Sequence, residues 1–185
     1  ADPVNRVWLD FRDTPIPFVT GPTPDLDSTE TTPLVSLAYH FNDDLMTYAS
    51  FARGYKSGGY EQRLTPGVPY APRFEPESVD TYELGVKSSL ADGRMQLNGA
   101  IFYSDYSDMQ ISVIDGPAPT ITNAGDATLK GAELELSFRP ADDLNISAFA
   151  GYLDADYDRL SPRALASGIS RARRLPNTYE WQYGA

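Results

Sequence analysis

Apolar and polar residues alternate along several segments of the chain with the two-residue period of a β-strand. The alternation is clearest in three segments: 81–87, 133–139 and 144–152. Successive side chains of a strand point to opposite faces, so each segment has one apolar and one polar face. In a fourth segment the assignment of faces stays open, because Met46 and Tyr48 compete with Leu45 and Phe51 for the apolar face.

The alternation predicts six strands without proline, which cannot donate to a strand ladder. Their predicted bounds are 34–41, 45–55, 78–90, 94–106, 128–139 and 144–157. Residues 177–185 begin like a seventh strand and stop short, and one helical turn fits within 160–174. Residues 1–32 are interpreted as a loop or the end of a preceding strand, with a short strand possible at Val4–Phe11. Residues 33–185 form the predicted barrel region.

Three short acidic turns join these strands in pairs at nearly constant spacing. Their central residues Asp43, Asp92 and Asp142 are 49 and then 50 residues apart. Longer Pro/Gly-rich links separate the pairs, at about 57–75, 107–126 and 158–177. Short turns that alternate with long loops are typical of outer-membrane β-barrels, whose periplasmic turns are short and whose extracellular loops are long. The sequence therefore predicts an antiparallel transmembrane β-barrel in an all-β chain.

The composition argues against several classes of fold and function. The 185 residues carry a net charge of −11 and no cysteine, which argues against nucleic-acid binding and against a disulfide scaffold. No apolar run approaches the ~20 residues of a spanning helix. No secretory leader is visible near the start, so we expect a mature or internal piece. A soluble β-sandwich binding module remains an alternative, although its strands are usually only about 5–6 residues long.

Six stretches, in order, resemble the barrel domain of the TonB-dependent receptors of Gram-negative outer membranes, toward its C-terminal half. They are 48–60, 74–87, 97–110, 122–125, 130–135 and 174–177, within a region of roughly 33–185. The resemblance implies a barrel of about 22 strands closed by an N-terminal plug domain. It also implies active import of a scarce nutrient, most often a ferric siderophore, powered through TonB. A passive porin-like channel is the alternative transport function.

The resemblance also implies the partners: outer-membrane lipid, lipopolysaccharide, the plug domain, and TonB through an N-terminal box. Neither a plug nor such a box is present in this sequence. Six or seven strands are too few to close, since the smallest membrane barrels have about 8. We therefore expect an incomplete barrel section, an open antiparallel sheet, located in the outer membrane.

The polar faces of the predicted strands supply candidate lumen-lining residues. They are Ser36, His40, Thr81, Glu83, Lys87, Gln96, Asn98, Glu133, Glu135, Asn145 and Ser147. Glu133 and Glu135 share a face about 7 Å apart, but nothing indicates the dry pocket that catalysis by paired carboxylates requires. A lone histidine cannot build a metal site. We expect no enzyme activity, no cofactor and no metal centre.

Basic residues gather in the last predicted loop of an otherwise acidic chain. They are Arg159, Arg163, Arg171, Arg173 and Arg174. Arginine binds phosphate and carboxylate groups bidentately, so the cluster could contact lipopolysaccharide or an anionic solute, or could simply balance acidic neighbours. Asp154, Asp156 and Asp158 lack the glycine and the distal glutamate of a calcium loop and are interpreted as a solvated charged segment.

Overall fold

The chain forms almost only β-strands. The computed structural model describes residues 6–11, 14–19, 27, 29–60, 73–115, 118–172 and 174–185, with side chains from residue 27 onward except at 115 and 118. The strands are β1 (Arg6–Phe11), β2 (Thr14–Val19), β3 (Leu34–Asn42), β4 (Leu45–Lys56), β5 (Gly59–Tyr60), β6 (Arg73–Phe74), β7 (Glu77–Leu90), β8 (Met95–Asp115), β9 (Ala118–Ala141), β10 (Leu144–Leu160) and β11 (Trp181–Gly184). One short helix, α1, spans Pro162–Ala166.

Seven strands form one antiparallel sheet in the order β11-β10-β9-β8-β7-β4-β3. Neighbours in the sheet are therefore neighbours in the chain, apart from the small ribbon of β5 and β6 between β4 and β7. Among the described strands, β3 and β11 are edges and do not pair with each other, so the sheet is open. The predicted incomplete barrel section is confirmed, as are its six long strands and its short seventh strand.

The three acidic turns lie at one end of the sheet, where they connect β3 to β4, β7 to β8 and β9 to β10. In the first, the Asn42 side chain accepts a hydrogen bond from the backbone N–H of Asp44 at 2.9 Å. In the second, Ala91 and Asp92 have φ values of 52° and 54°. Such left-handed conformations let a tight turn match the twist of its strands. The predicted short turns are confirmed.

Two regions differ from the sequence prediction. The predicted loop 107–126 is wrong, because β8 continues to Asp115 and β9 begins at Ala118. Strand β2 lies in a predicted loop and pairs with β1 as a separate two-stranded ribbon, in which Pro15 is opposite Asp10. In a ribbon, each strand has one unpaired side, where a missing proline N–H costs little.

One face of the large sheet is apolar and open. The strand register aligns Leu37, Ala49, Leu84, Ile101, Ala132, Tyr152 and Trp181 across it. Leu84 and Ile101 are 55% and 57% exposed. This register also settles the faces of β4: Leu45 and Phe51 lie on the apolar face and Met46 and Tyr48 on the polar face. An apolar face of this extent requires lipid or a partner to cover it.

Toward the ends opposite the acidic turns, the apolar face ends in a row of rings. Phe51, Tyr82 and Tyr103 are paired across the strands there, with 5.1 Å between the ring centroids of Phe51 and Tyr82. From the turn up to and including this row, β8 has nine residues, Met95–Tyr103, which matches the 9–11 residues of a membrane-spanning strand. We call this part of the sheet the membrane half.

Beyond this row, β8, β9 and β10 extend into what we call the extracellular half, which includes 104–126 and 155–178. Ala127, Ala155, Tyr157 and Leu175 form a buried cluster there, on the same face of the sheet as the polar residues below. Tyr106, Met109, Leu129, Leu153, Leu160 and Ile169 pack against it. Within the described residues, no helix is both long and apolar enough to cross a bilayer.

The predicted helical turn within 160–174 is confirmed as α1. The side chain of Ser161 accepts a hydrogen bond from the Ala164 N–H at 3.3 Å and so caps the helix, and Pro162 follows as the first helical residue, where its missing N–H costs nothing. Ala164 is fully buried. The segment after β10 therefore folds back on the sheet.

Candidate functional site

The polar face of the membrane half carries most of the candidate lumen-lining residues, in rows set by the strand register. The lower row contains His40, Met46, Lys87, Asn98, Glu135, Phe149 and Gly184. The middle row contains Tyr48, Gly85, Ala100, Glu133 and Gly151. The upper row contains Ser36, Ser50, Glu83, Phe102, Gly131 and Leu153. We call these three rows the polar wall.

The centre of the polar wall is an open hollow of about 170 Å³. The Tyr48 hydroxyl donates a hydrogen bond to a Glu83 carboxylate oxygen at 2.5 Å, and the Lys87 ammonium lies 5.8 Å from the centroid of the Tyr48 ring. Glu133 and Glu135 line the same hollow. Three carboxylates therefore surround one ammonium, and the hollow suits a partner that donates hydrogen bonds or carries positive charge.

The remaining polar candidates lie around these rows. The Thr81 and Ser104 hydroxyls are 2.9 Å apart, and Gln96 is paired with Ser137, which is paired with Ser147. His40 lines a second hollow beside the first turn. Asn145 lies in a register shift between Leu144 and Ile146, so it has no cross-strand partner in the ladder. Among the described residues, no group of acidic or histidine side chains could hold a metal ion.

Two of the five arginines in the predicted cluster form ion pairs with acidic side chains. Arg159 donates from Nε to Asp126 at 2.7 Å and lies 3.9 Å from Asp108. The pKa of the Asp126 carboxyl is lowered, mainly because it accepts this hydrogen bond from Arg159. Arg174 forms an ion pair with Glu180 at 2.6 Å, which raises the pKa of the guanidinium.

The structure describes two of the other three arginines. Arg163 lies in α1, Arg171 is exposed in the turn after α1, and Arg173 lies outside the described residues. Two of the three aspartates interpreted as a solvated charged segment are also engaged: Asp154 forms an ion pair with Lys130 at 3.2 Å, and Asp158 accepts a hydrogen bond from Thr128 at 2.6 Å. All three aspartates belong to β10.

A network in the extracellular half was missed as a site. The Gln110 side chain donates to the carbonyls of Ser57 and Glu75 at 3.0 and 3.1 Å, and its backbone N–H donates to the Glu77 carboxylate at 2.7 Å. Asn123 exchanges two hydrogen bonds with the backbone of Glu75. The network ties the projecting β8–β9 hairpin to the start of β7. Its side chains lie in three of the stretches that resemble the family, 74–87, 97–110 and 122–125. That shared membership was the only sign of the network in the sequence.

Sequence comparison identifies the family. A family model described as "TonB dependent receptor-like, beta-barrel" matches residues 6–185. The pesticin receptor of Yersinia enterocolitica is 37% identical over 107 residues, which is 57% of this chain and 15% of the receptor. The metal-pseudopaline receptor CntO of Pseudomonas aeruginosa is 26% identical over 147 residues, which is 79% of this chain and 19% of the receptor.

Structure comparison agrees. The ferric yersiniabactin uptake receptor FyuA of Yersinia pestis has a TM-score of 0.68 and 27% sequence identity to this chain, and the match covers 82% of this chain and 22% of FyuA. The chain thus spans less than a quarter of the receptors it matches. Proteins of this kind are outer-membrane β-barrels of Gram-negative bacteria with a plug domain, and they work with TonB. The sheet of this chain, with its apolar and polar faces and its short turns at one end, is a section of such a barrel wall, and the chain belongs to the TonB-dependent receptor β-barrel family.

Proposed function

We propose that this chain is part of the barrel of an outer-membrane receptor that actively imports a metal complex, most simply a ferric siderophore, with energy supplied through TonB. The match to FyuA carries the proposal, because it joins sequence identity to a shared fold over most of the chain. The names of the relatives support the solute class: one is a ferric yersiniabactin uptake receptor and another a metal-pseudopaline receptor. The relatives are receptors rather than enzymes, so we propose transport without catalysis.

The two faces of the membrane half contact different partners. The apolar face, with Leu84 and Ile101 exposed, contacts the lipid chains, and the ring row of Phe51, Tyr82 and Tyr103 lies at the interface with lipopolysaccharide, where barrels place aromatic residues. The polar wall lines the lumen and faces the plug domain of the full-length receptor. TonB engages a region outside this chain.

The arginines of the extracellular half divide into two roles. Arg159 and Arg174 hold Asp126 and Glu180 and so act within the fold. Arg171, exposed after α1, is the candidate for contact with an anionic solute or with lipopolysaccharide phosphate. An Arg171→Gln receptor should bind an anionic ferric chelate less tightly, whereas Ser112→Ala, also exposed, should not change binding.

The test is uptake of radiolabelled ferric siderophores by iron-starved cells that express the full-length receptor. We expect uptake that requires the receptor gene and disappears when tonB is deleted. Uptake that survives loss of tonB would indicate a passive channel. Absence of uptake for every metal complex supplied, from a receptor shown to be folded in the outer membrane, would reject the proposed solute class.

A further inference from the structure

The aromatic residues on the apolar face of the sheet leave a gap at β9. Tyr82, Tyr103 and Tyr152 each lie eight residues from the end of their strand at an acidic turn, and the ring of Trp181 packs against that of Tyr152 with 4.9 Å between the centroids. At this level β9 contributes only the methyl group of Ala132, which is directly opposite Tyr152. Rings therefore flank Ala132 on both sides, and none covers it.

An open hollow of about 640 Å³ lies in this gap. Small residues of three neighbouring strands form its floor, and larger apolar side chains stand around them; these residues are Gly99, Ala132, Ala150, Ile101, Tyr152 and Trp181. A Cβ atom added to Gly99 would meet its nearest neighbour only at 3.6 Å. The hollow is therefore a concave apolar site on the face that contacts lipid.

A cation lies at the extracellular end of the hollow. Lys130 is two residues along β9 from Ala132, on the same face and directly opposite Tyr103. Its ammonium forms an ion pair with Asp154 at 3.2 Å, yet its side chain remains 59% exposed. An ammonium has three donors, so Lys130 can bind a second acceptor beside Asp154.

Acidic side chains limit where that acceptor can lie. Asp105 and Asp156 are exposed one row farther from the acidic turns, both opposite Thr128. They repel a phosphate at their own level, because like charges are unfavourable there. Below Lys130 the surface is apolar. A lipid phosphate is therefore best placed at Lys130, with its hydrocarbon in the hollow.

We propose that the gap at β9 binds one lipid A moiety of lipopolysaccharide, with acyl chains in the hollow and a phosphate on Lys130. The hollow opens toward the extracellular half, where the membrane lipid is lipopolysaccharide. Lipid A carries phosphates above several acyl chains and so matches both the cation and the apolar floor, since basic sites on membrane proteins bind anionic lipid headgroups. This inference rests on the part of the proposed function that places the apolar face in lipid, and it is independent of the solute.

The chain offers matched variants for each part of the site. Ala132→Leu fills the floor of the hollow. Ala49 lies in the same apolar row as Ala132 but is exposed outside the hollow, so Ala49→Leu makes the same chemical change on the same face as a control. Lys130→Gln removes the cation without added bulk, whereas Lys130→Arg keeps it.

The experiment measures the lipid that the full-length receptor retains. Each receptor is purified from outer membranes in mild detergent, and the bound lipid A and phospholipid are quantified by mass spectrometry. Heat-modifiable migration in electrophoresis reports barrel assembly. We expect Ala49→Leu and Lys130→Arg to retain the wild-type amount of lipid A, and Ala132→Leu and Lys130→Gln to retain several-fold less.

Equal retention of lipid A by assembled wild-type, Ala132→Leu and Lys130→Gln receptors would overturn the inference. Retention of phospholipid in place of lipid A would also overturn it, as would a receptor dimer that Ala132→Leu dissociates. If Ala132→Leu does not assemble, the exposed substitutions Lys130→Gln and Lys130→Arg decide the question. Lipid retention is measured without any metal complex, so a receptor that loses lipid A in these variants but imports no metal complex supports the site and rejects the proposed solute.

Discussion

The two halves of this sheet are built from the same strands but are stabilised by different surroundings. Among the described residues, the membrane half is a single layer of sheet, and Leu84 and Ile101 project from its apolar face with more than half of their surface exposed. In the extracellular half the other face has its own core: Tyr157 and Leu175 are 6% and 7% exposed, and Gln110 and Asn123 tie the hairpin to β7.

The comparison teaches that the hydrophobic face of a barrel strand changes side along its length. Along β10, Tyr152 faces outward in the membrane half, whereas Ala155 and Tyr157 are buried on the opposite face higher up. In lipid, apolar residues must face out because the outside is hydrocarbon. Above the lipid both sides are wet, so apolar residues gain only by packing against protein, here the segment after β10.

The largest effect is expected from a charge on the outer face of the membrane half. Ile101→Arg places a guanidinium in hydrocarbon and should destabilise the folded barrel by about 2–4 kcal/mol. Ala100→Arg, one residue earlier, points toward the polar wall beside Glu133 and should cost far less. Urea unfolding of the full-length receptor in lipid vesicles measures both. Equal losses would mean that the faces are assigned wrongly.

A slightly smaller and local effect is expected in the extracellular core. Leu175→Ala removes a buried side chain and should lower the local free energy of unfolding by about 2 kcal/mol. Hydrogen exchange should accelerate in 161–178 and stay unchanged in 95–103. Leu165→Ala is the control, because Leu165 is 52% exposed. Faster exchange throughout the membrane half would show that the two halves are not independent.

The hydrogen-bond network should matter less than the core. Gln110→Ala removes the side-chain donor to the carbonyls of Ser57 and Glu75, of which Glu75 keeps the Asn123 donor, and should cost about 1–2 kcal/mol. In the Gln110→Ala receptor we expect faster hydrogen exchange at 73–77 and at the base of the β8–β9 hairpin. Ser112→Ala, exposed on the same strand, should leave exchange at wild-type rates. Loss of solute binding without any change in exchange would instead indicate a direct role of Gln110.

The smallest effect is expected from acid. The pKa of Asp126 is lowered from 3.8, mainly by the hydrogen bond from Arg159. A carboxyl with a lowered folded pKa adds stability above its unfolded value and loses it as pH falls through the folded value. The hairpin base should therefore be insensitive to pH at neutrality and loosen only below about pH 4. Arg159→Gln should abolish this acid step in hydrogen exchange, and its persistence would assign the step to another group.

Much of the membrane half was predictable from the sequence, because lipid on one side and the lumen on the other require apolar and polar residues to alternate along each strand. The six strands and three turns were found from that pattern and from proline. The faces of the second strand could not be assigned from the pattern, because Met46 and Tyr48 are also largely apolar. Only the pairing of this strand with Val86 and Lys87 assigns them.

The strands of the extracellular half were harder to predict from the sequence, because residues that usually form turns lie within or beside them. Gly116, Pro117, Pro119 and Gly125 suggest a loop in the sequence, yet Pro119 and Gly125 lie within β9, where Gly125 is beside a register shift at Met109. The ion pairs of the arginines could not be predicted for a related reason. Adjacency in sequence did not show that Arg159 faces Asp126 on β9, 33 residues earlier.

The regular hairpin spacing has a consequence for how such walls can change in size. Each unit, 49 or 50 residues from one tight turn to the next, supplies two strands, one tight turn and one outer loop. Among the described strands of the large sheet, it pairs only with the units before and after it in the chain. Duplication or deletion of one unit would therefore leave the other interfaces intact and preserve an even strand number. A wall of this kind can evolve a different diameter by whole hairpins, without redesign of the strands that remain.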